Sequence, residues 1–183
     1  MRLDFIIPTF HSRDLTINAI KSFEKHKGNH QFRYIVIENS SDTSYKEEVL
    51  NLSGEIVWIQ NPTSLINSEA NAIAIEKGLE EVKTEYIFIC HNDVAACQVD
   101  WMDYMISKIE EGCSLVGTVL DDHPERITAV HISGLLVETK IAKSVSMYPV
   151  YENNKQVADV GDLLTQYCRD NNLKYFCCRN TLN

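Results

Sequence analysis

The sequence contains none of the glycine-rich motifs that usually hold phosphate groups. No GxGxxG follows the first predicted strand and no GxxxxGK(S/T) occurs anywhere in the chain, which has only 7 glycines. GxSxG and HExxH are also absent, which argues against the common serine-hydrolase and zinc-protease sites. A ligand of this chain is therefore not held by a glycine loop.

Basic charge is scarce, and long apolar runs are missing. Lys and Arg number 17 against 26 Asp and Glu, and the net charge of −9 argues against nucleic acid as the main partner. No apolar run approaches the roughly 20 residues that cross a bilayer, so no transmembrane segment is expected. The 6 cysteines form no CxxC pair, and we interpret them as reduced thiols of a cytoplasmic protein without a structural zinc site.

What the chain does contain is an alternation of short apolar strands and amphipathic helices over its first 120 residues. This pattern predicts an α/β fold with a Rossmann-like, doubly wound and mostly parallel sheet flanked by helices. The remaining residues are less regular, with a final helix and a last strand near the end. The predicted strands are at 3–7, 32–37, 56–59, 86–90, 115–120, 127–137 and 173–178, and the helices are at 14–26, 44–52, 67–82, 100–111 and 159–171.

Three polar residues directly follow the apolar strand predicted at 86–90. They are His91, Asn92 and Asp93. In an open α/β sheet, ligands bind outside the carboxyl ends of the strands. A carboxylate at that edge can hold a divalent cation, and the cation can hold a diphosphate. Taken alone, Asp93 fits a helix or turn cap equally well.

Several blocks, taken in order and spacing, resemble family-two glycosyltransferases with the GT-A fold, which are inverting and use nucleotide sugars. The resemblance covers roughly the first 110 residues well and is looser from 134 to 176. It implies a single GT-A-type domain, with residues 1–120 as the nucleotide-binding half and residues 121–183 as a smaller acceptor-side half. The blocks are FIIPTF at 5–10, YIVIENSS at 34–41, GLEEVKTEYIFI at 78–89, His91-Asn92-Asp93, and Trp101-Met102.

The resemblance implies a nucleoside site at the loop Pro8-Thr9-Phe10. Phe10 would lie near the base, and ordinary core packing is the alternative for its side chain. Glu38, which precedes Asn39, would accept a hydrogen bond from the base or the ribose. The alternative for Glu38 is a solvated strand end.

The resemblance also places His91-Asn92-Asp93 at the family's DxD-type motif. Asp93 matches the acid that coordinates Mn²⁺ or Mg²⁺ and, through the metal, the diphosphate. His91 replaces the usual acid and would contact the ribose or join the metal, which leaves the need for metal open. Asn71 is a candidate polar contact, but a solvated helix face is favoured. His131 is interpreted as a structural histidine.

An inverting transferase needs a base that takes the proton of the acceptor hydroxyl. Gly161-Asp162 occupies the place of this acid in the family, and Asp159 lies three residues earlier. Both acids also fit the N-cap and the first turn of the final helix, where they complement the helix dipole. We predict Asp162 as the base, with Asp159 as the second candidate.

The resemblance implies a metal-assisted transfer of a sugar from a nucleotide diphosphate sugar, UDP-linked, to a hydroxyl of a glycan or other acceptor, as in polysaccharide biosynthesis. The alternative is a non-catalytic sugar-nucleotide-binding subunit, or a degenerate transferase that acts with a partner. Many relatives continue beyond the last strand, whereas this sequence stops after residues 179–183. We therefore expect a minimal enzyme, or one completed by a partner subunit, a homo-oligomer or a longer tail.

Overall fold

The computed structural model describes residues 1–178 and consists of one large sheet with helices on both faces. The predicted stop after the last strand concerns residues 179–183, which lie outside the described range. The strands are β1 Arg2–Thr9, β2 Gln31–Glu38, β3 Ile56–Gln60, β4 Tyr86–Ile89, β5 Cys113–Gly117, β6 Leu120–Asp121, β7 Ala129–Val130, β8 Leu135–Glu138, β9 Val150–Glu152, β10 Lys155–Ala158 and β11 Lys174–Cys177. The helices are α1 Arg13–Lys25, α2 Lys46–Leu50, α3 Asn67–Glu81, α4 Trp101–Glu110, α5 Thr139–Ala142 and α6 Asp162–Asp170.

The main sheet has seven strands in the order β11-β5-β8-β4-β1-β2-β3. Strands β1 to β4 are parallel, β5 and β11 pair in parallel, and β8 is antiparallel to both of its neighbours. This arrangement confirms the predicted mostly parallel α/β sheet. Strands β8 and β11 come from beyond residue 120, so the two predicted halves of the chain share this one sheet.

Apolar side chains fill a core on each face of the sheet. Because successive residues of a strand point to opposite faces, Phe5 and Ile7 pack on the side of α1 and α4, whereas Ile6 packs on the side of α3 and α6. Helix α3 lies very close to β1, since a β-carbon added at Gly78 would stand 2.7 Å from Ile6 Cγ2. None of the helices within residues 1–178 is long and apolar enough to cross a bilayer.

The first strand is longer than predicted. Pro8 and Thr9 were expected in a loop, but both continue β1 and stand in register with Ile37 and Glu38 of β2. The carboxyl ends of β1 and β2 therefore finish side by side, and β4 ends on the other side of β1. This edge of the sheet brings together the polar residues that follow the three strands.

Candidate functional site

A cleft of about 470 Å³ opens at this carboxyl edge. It lies between the ends of β1, β2 and β4 and the first turns of α3, as expected for the ligand site of an open α/β sheet. Seven of the eight residues predicted to bind the nucleotide, its sugar or the metal line it. The lining residues are Pro8, Thr9, Phe10, Ser12, Asn39, Leu65, Ile66, Asn67, Ala70, Asn71, His91, Asn92 and Asp93.

One end of the cleft is apolar and unusually exposed. Phe10 is 61% exposed and Ile66 is 71% exposed, so core packing is wrong as an account of Phe10. His11 has a φ of 48°, in the left-handed region, and the Phe10 and His11 ring centroids are 4.6 Å apart. An exposed aromatic ring on a tight turn can stack against a flat ring such as a nucleobase.

Glu38 does not line the cleft and is not a solvated strand end. Its side chain is 0% exposed. One carboxylate oxygen accepts hydrogen bonds from the backbone N–H groups of Ser40 (2.8 Å) and His11 (3.3 Å), and the other accepts one from the Tyr45 hydroxyl. Glu38 therefore supports the turn that carries Phe10 from below.

Asn39 is also engaged within the protein. Its Nδ2 donates to the Ala70 carbonyl oxygen at 2.7 Å, and its Oδ1 accepts a hydrogen bond from Asn61 Nδ2 at 2.8 Å. Its backbone N–H donates to the Thr9 carbonyl oxygen at 2.9 Å. These bonds fix the start of α3 against the ends of β1 and β2, and so set the width of the cleft.

His91 and Asn71 form a pair in the middle of the cleft. Asn71 Nδ2 donates to His91 Nε2 at 2.8 Å, so the proton of the neutral ring lies on Nδ1 and the lone pair of Nε2 is occupied by Asn71. Burial lowers the pKa of His91, His131 lowers it further, and the Asp93 and Asp159 carboxylates oppose this only in part. Asn71 was expected on a solvated helix face, but it lies in the cleft.

His131 stands next to this pair, with its ring centroid 5.6 Å from that of His91. The backbone N–H of Ser133 donates to His131 Nδ1 at 3.2 Å, so the ring proton lies on Nε2. The Ser133 hydroxyl lies 2.7 Å from the same nitrogen. Sequence reasoning treated this histidine as structural, and its proximity to His91 becomes visible only in the fold.

Asn92 and Asp93 point in different directions. Asn92 Nδ2 donates inward to Thr9 Oγ1 (3.1 Å) and Thr16 Oγ1 (3.2 Å), whereas Asp93 is exposed and lines the cleft. Within residues 1–178, no three His, Cys, Asp or Glu side chains converge as a metal site. The donor set thus fits a cation that is held by Asp93, diphosphate oxygens and water, and not a cation held by the protein alone.

The two candidate bases differ in access. Asp162 is 1% exposed, and its Oδ2 accepts a hydrogen bond from the backbone N–H of Asp159 at 2.6 Å. Burial raises the pKa of Asp162. Burial also acts to raise the pKa of Asp159, but Ser68, the Val160 N–H and Arg126 together hold it below its ordinary value.

Neither acid lines the cleft, but Asp159 interacts with residues at its edge. It interacts with Ser68, which follows the cleft residue Asn67, and its charge acts on His91. Arg126 donates to both Asp159 and Asp121, the latter at 2.6 Å, and so holds Asp159 from the loop after β6. Sequence reasoning missed Arg126, because nothing in its local pattern marks a contact with a residue so distant in sequence.

Among the solved structures that share this fold are the following three, each at 12% sequence identity. Mannosyltransferase PcManGT from Pyrobaculum calidifontis, in complex with GDP-Man and Mn²⁺, has a TM-score of 0.62 over 78% of this chain and 46% of that chain. S. aureus TarS 1-349 in complex with UDP-GlcNAc has a TM-score of 0.59 over 98% and 59%. M. tuberculosis glucosyl-3-phosphoglycerate synthase has a TM-score of 0.63 over 100% and 73%. The chain thus spans less than two thirds of the first two of these proteins.

The fold is the GT-A fold of these glycosyltransferases. The sequence profile of glycosyl transferase family 2 matches residues 4–157, and the chain belongs to this family. The match ends just before Asp159 and Asp162. No curated protein sequence matched the chain.

Proposed function

We propose that this protein transfers a sugar from a nucleotide diphosphate sugar to an acceptor hydroxyl, with inversion at the anomeric carbon. The observation that carries the proposal is the cleft itself, which combines the exposed ring of Phe10 with the exposed carboxylate of Asp93. A nucleotide sugar needs both, an apolar surface for the base and a place to bind the charge of the diphosphate.

The nucleoside would occupy the Phe10 end of the cleft. There the base would stack on Phe10 and contact Ile66, while Pro8 and Thr9 form the floor. We propose a uridine-linked donor. TarS was solved with UDP-GlcNAc, whereas PcManGT was solved with GDP-Man, so both nucleotides need testing.

Asp93 would hold a divalent cation together with the diphosphate. Mn²⁺ or Mg²⁺ bound there would offset the negative charge that develops on the departing diphosphate. The Asn71–His91 pair would stay neutral beside it and offer the His91 Nδ1–H as a hydrogen-bond donor to ribose or phosphate oxygens.

The base would come from the start of α6. As the acceptor oxygen bonds to the anomeric carbon and the bond to the diphosphate breaks, a carboxylate takes the hydroxyl proton. We propose Asp159 for this role, because it interacts with Ser68, which follows the cleft residue Asn67, and its lowered pKa keeps it ionised at neutral pH. Asp162, first in the sequence-based prediction, would position Asp159 through its backbone N–H.

Ligand-induced thermal stabilisation tests the donor site. A ligand that binds only the folded protein adds about 2.7 kcal/mol of stability at a hundredfold excess over its dissociation constant. We expect UDP or GDP with Mn²⁺ to raise the melting temperature, and the matching nucleoside monophosphate to raise it less. Absence of a shift with every nucleoside diphosphate would contradict the proposal.

A non-catalytic nucleotide-sugar-binding subunit is the second candidate. It is favoured by the burial of Asp162 and by the ion pair that occupies Asp159. The assay is slow hydrolysis of the donor sugar without acceptor. Hydrolysis that is lost in Asp159→Asn and kept in the control Asp170→Asn, at the exposed end of α6, would support the enzyme. Donor binding with hydrolysis that is equal in all three proteins would support the subunit.

The compartment and the acceptor are also proposals. All six cysteines are free thiols, which is typical of a reducing compartment such as the cytoplasm. A glycan hydroxyl, as in polysaccharide biosynthesis, is the acceptor that the family suggests. A partner subunit or a second copy of the chain would complete the acceptor side.

A further inference from the structure

A buried chain of hydrogen bonds runs beneath the cleft and begins at the residue before Asp93. Asn92 Nδ2 donates to Thr9 Oγ1 at 3.1 Å and to Thr16 Oγ1 at 3.2 Å. Thr16 lies on α1 with its side chain fully buried, and it is not among the residues that line the cleft. The amide of Asn92 is thereby fixed to two elements, β1 and α1, that meet below the cleft.

The protons of this chain have a single arrangement that satisfies every bond. The Tyr45 hydroxyl donates to Glu38, so Thr9 must donate across the 3.3 Å to the Tyr45 oxygen. Thr16 must then donate across the 2.8 Å to Thr9 Oγ1. The Nδ2 group of Asn92 can only donate, and both threonine oxygens accept from it. Each hydroxyl from Thr16 through Thr9 to Tyr45 therefore donates to the next group on the way to the Glu38 carboxylate. Removal of one of these hydroxyls leaves the next group without its donor.

The segment that carries Asp93 is held by side-chain contacts, which include the His91–Asn71 bond and the packing of Val94 and Ala96 against the core. Residues 91–100 form no helix or strand between β4 and α4. Residues 94–98 border an open pocket of about 220 Å³, which is also lined by Phe23, Phe88, Trp101 and Thr118. Ala96 N–H donates to Ser22 Oγ at 3.0 Å, but the side-chain bonds nearest to Asp93 in sequence are those of Asn92.

We infer that Thr16 is a positioning residue for Asp93, acting through the Asn92 amide, and that the same chain couples the nucleoside-binding end of the cleft to its metal-binding end. The ligand concerned is a nucleoside diphosphate with a divalent cation, so the inference rests on the proposed function. Thr9 is the shared member, since it accepts from Asn92 and also precedes Phe10 in the chain. Loss of the Thr16 hydroxyl should free Asp93 to leave its position at the cleft.

A double-mutant cycle with Asp93 tests this role. Thr16→Val keeps the side-chain volume and removes the hydroxyl, whereas Thr16→Ser keeps the hydroxyl and serves as the control. We expect Thr16→Val to lower the Mn²⁺-dependent affinity for UDP about three- to tenfold, the effect of one lost hydrogen bond, and Thr16→Ser to retain it. In an Asp93→Ala background, Thr16→Val should leave the remaining UDP affinity unchanged. Equal losses in both backgrounds, or no loss in either, would overturn the inference.

Hydrogen exchange without any ligand separates this inference from the proposed function. The Val94 N–H donates to the His91 carbonyl oxygen at 3.3 Å, and the Ala96 N–H to Ser22. Both amides should exchange faster in Thr16→Val than in Thr16→Ser. Asn92→Ala, which removes the same bonds from a half-buried position, carries the same expectation if Thr16→Val fails to fold. Unchanged exchange refutes the positioning role. Faster exchange in a protein that binds no nucleoside diphosphate refutes the proposed function and leaves the positioning role intact.

Discussion

A buried ion pair at the amino end of the sheet lets the stability of the fold be tested quantitatively. Arg33 donates to both oxygens of Asp4 at 2.7 and 2.8 Å, and the carboxylate is fully buried. Arg33→Met would leave this carboxylate with only two backbone partners, the N–H groups of Lys83 (2.6 Å) and Thr84 (3.2 Å). Removal of one partner of a buried pair costs about 3–5 kcal/mol, a large part of the roughly 5–15 kcal/mol by which a domain is stable. Urea denaturation near neutral pH measures the loss.

The loss should depend on pH. Burial acts to raise the pKa of Asp4, but Arg33 and the two backbone N–H groups outweigh it and hold the pKa below its ordinary value. The stability from this group is therefore present above the pKa of the unfolded chain, near pH 4, and is lost as the pH falls through the lower folded value. In Arg33→Met, burial without the guanidinium raises the pKa of Asp4. As the pH falls, Asp4 is therefore protonated at a higher pH in the variant than in wild type, and this removes the cost of a buried, unpaired charge. The difference between variant and wild type should shrink between about pH 7 and about pH 4.

A matched control distinguishes the buried pair from a surface pair. Arg2 contacts Glu55 at 2.7 Å with both side chains largely exposed, and such pairs contribute little. Arg2→Met should leave the unfolding midpoint almost unchanged. A loss below about 1 kcal/mol in Arg33→Met, the value of an ordinary hydrogen bond, or a loss that is constant with pH, would refute the reasoning.

Two further variants test the cleft and the segment behind it. Phe10→Ala should weaken nucleotide binding about tenfold in calorimetry, because stacking of a base on an aromatic ring contributes about 1–3 kcal/mol. The control Leu15→Ala, which changes an exposed residue of α1, should bind the nucleotide as wild type does. Equal affinities of the two variants would show that Phe10 is not part of the site. Gly161→Ala should lower the unfolding midpoint, since Gly161 has a φ of 77° and an added β-carbon would stand 2.5 Å from Ile132 Cδ1; an unchanged midpoint would show that the start of α6 can move.

The sequence predicts the elements of this fold better than their arrangement. Each strand and helix carries its own apolar pattern, so most elements lie within a few residues of their predicted places. The insertion of β8 between β4 and β5 depends on pairings such as Ile89 with Leu135, which no local pattern encodes. The extension of β1 through Thr9 likewise depends on the pairing of Thr9 with Glu38 on the neighbouring strand β2.

The site residues were also predicted where a local pattern marks them and missed where a long-range contact decides their position. Position at a strand end identified Asp93 and Phe10, and both line the cleft. Glu38 was also at a strand end, but Tyr45 folds back over it from seven residues later and engages its carboxylate in the interior. Asn71 was assigned to solvent from the helix pattern, whereas the close packing of α3 at Gly78 brings the start of this helix to the edge of the sheet.

Calorimetric titration of UDP with and without Mn²⁺ tests the central claim most directly. Wild type and the control Asp100→Ala, an exposed acid seven residues further along the same segment, should bind UDP more tightly with Mn²⁺ than without it. Asp93→Ala should bind UDP with the same affinity in both conditions, because the carboxylate that holds the cation is gone. A gain from Mn²⁺ that persists undiminished in Asp93→Ala would contradict the account.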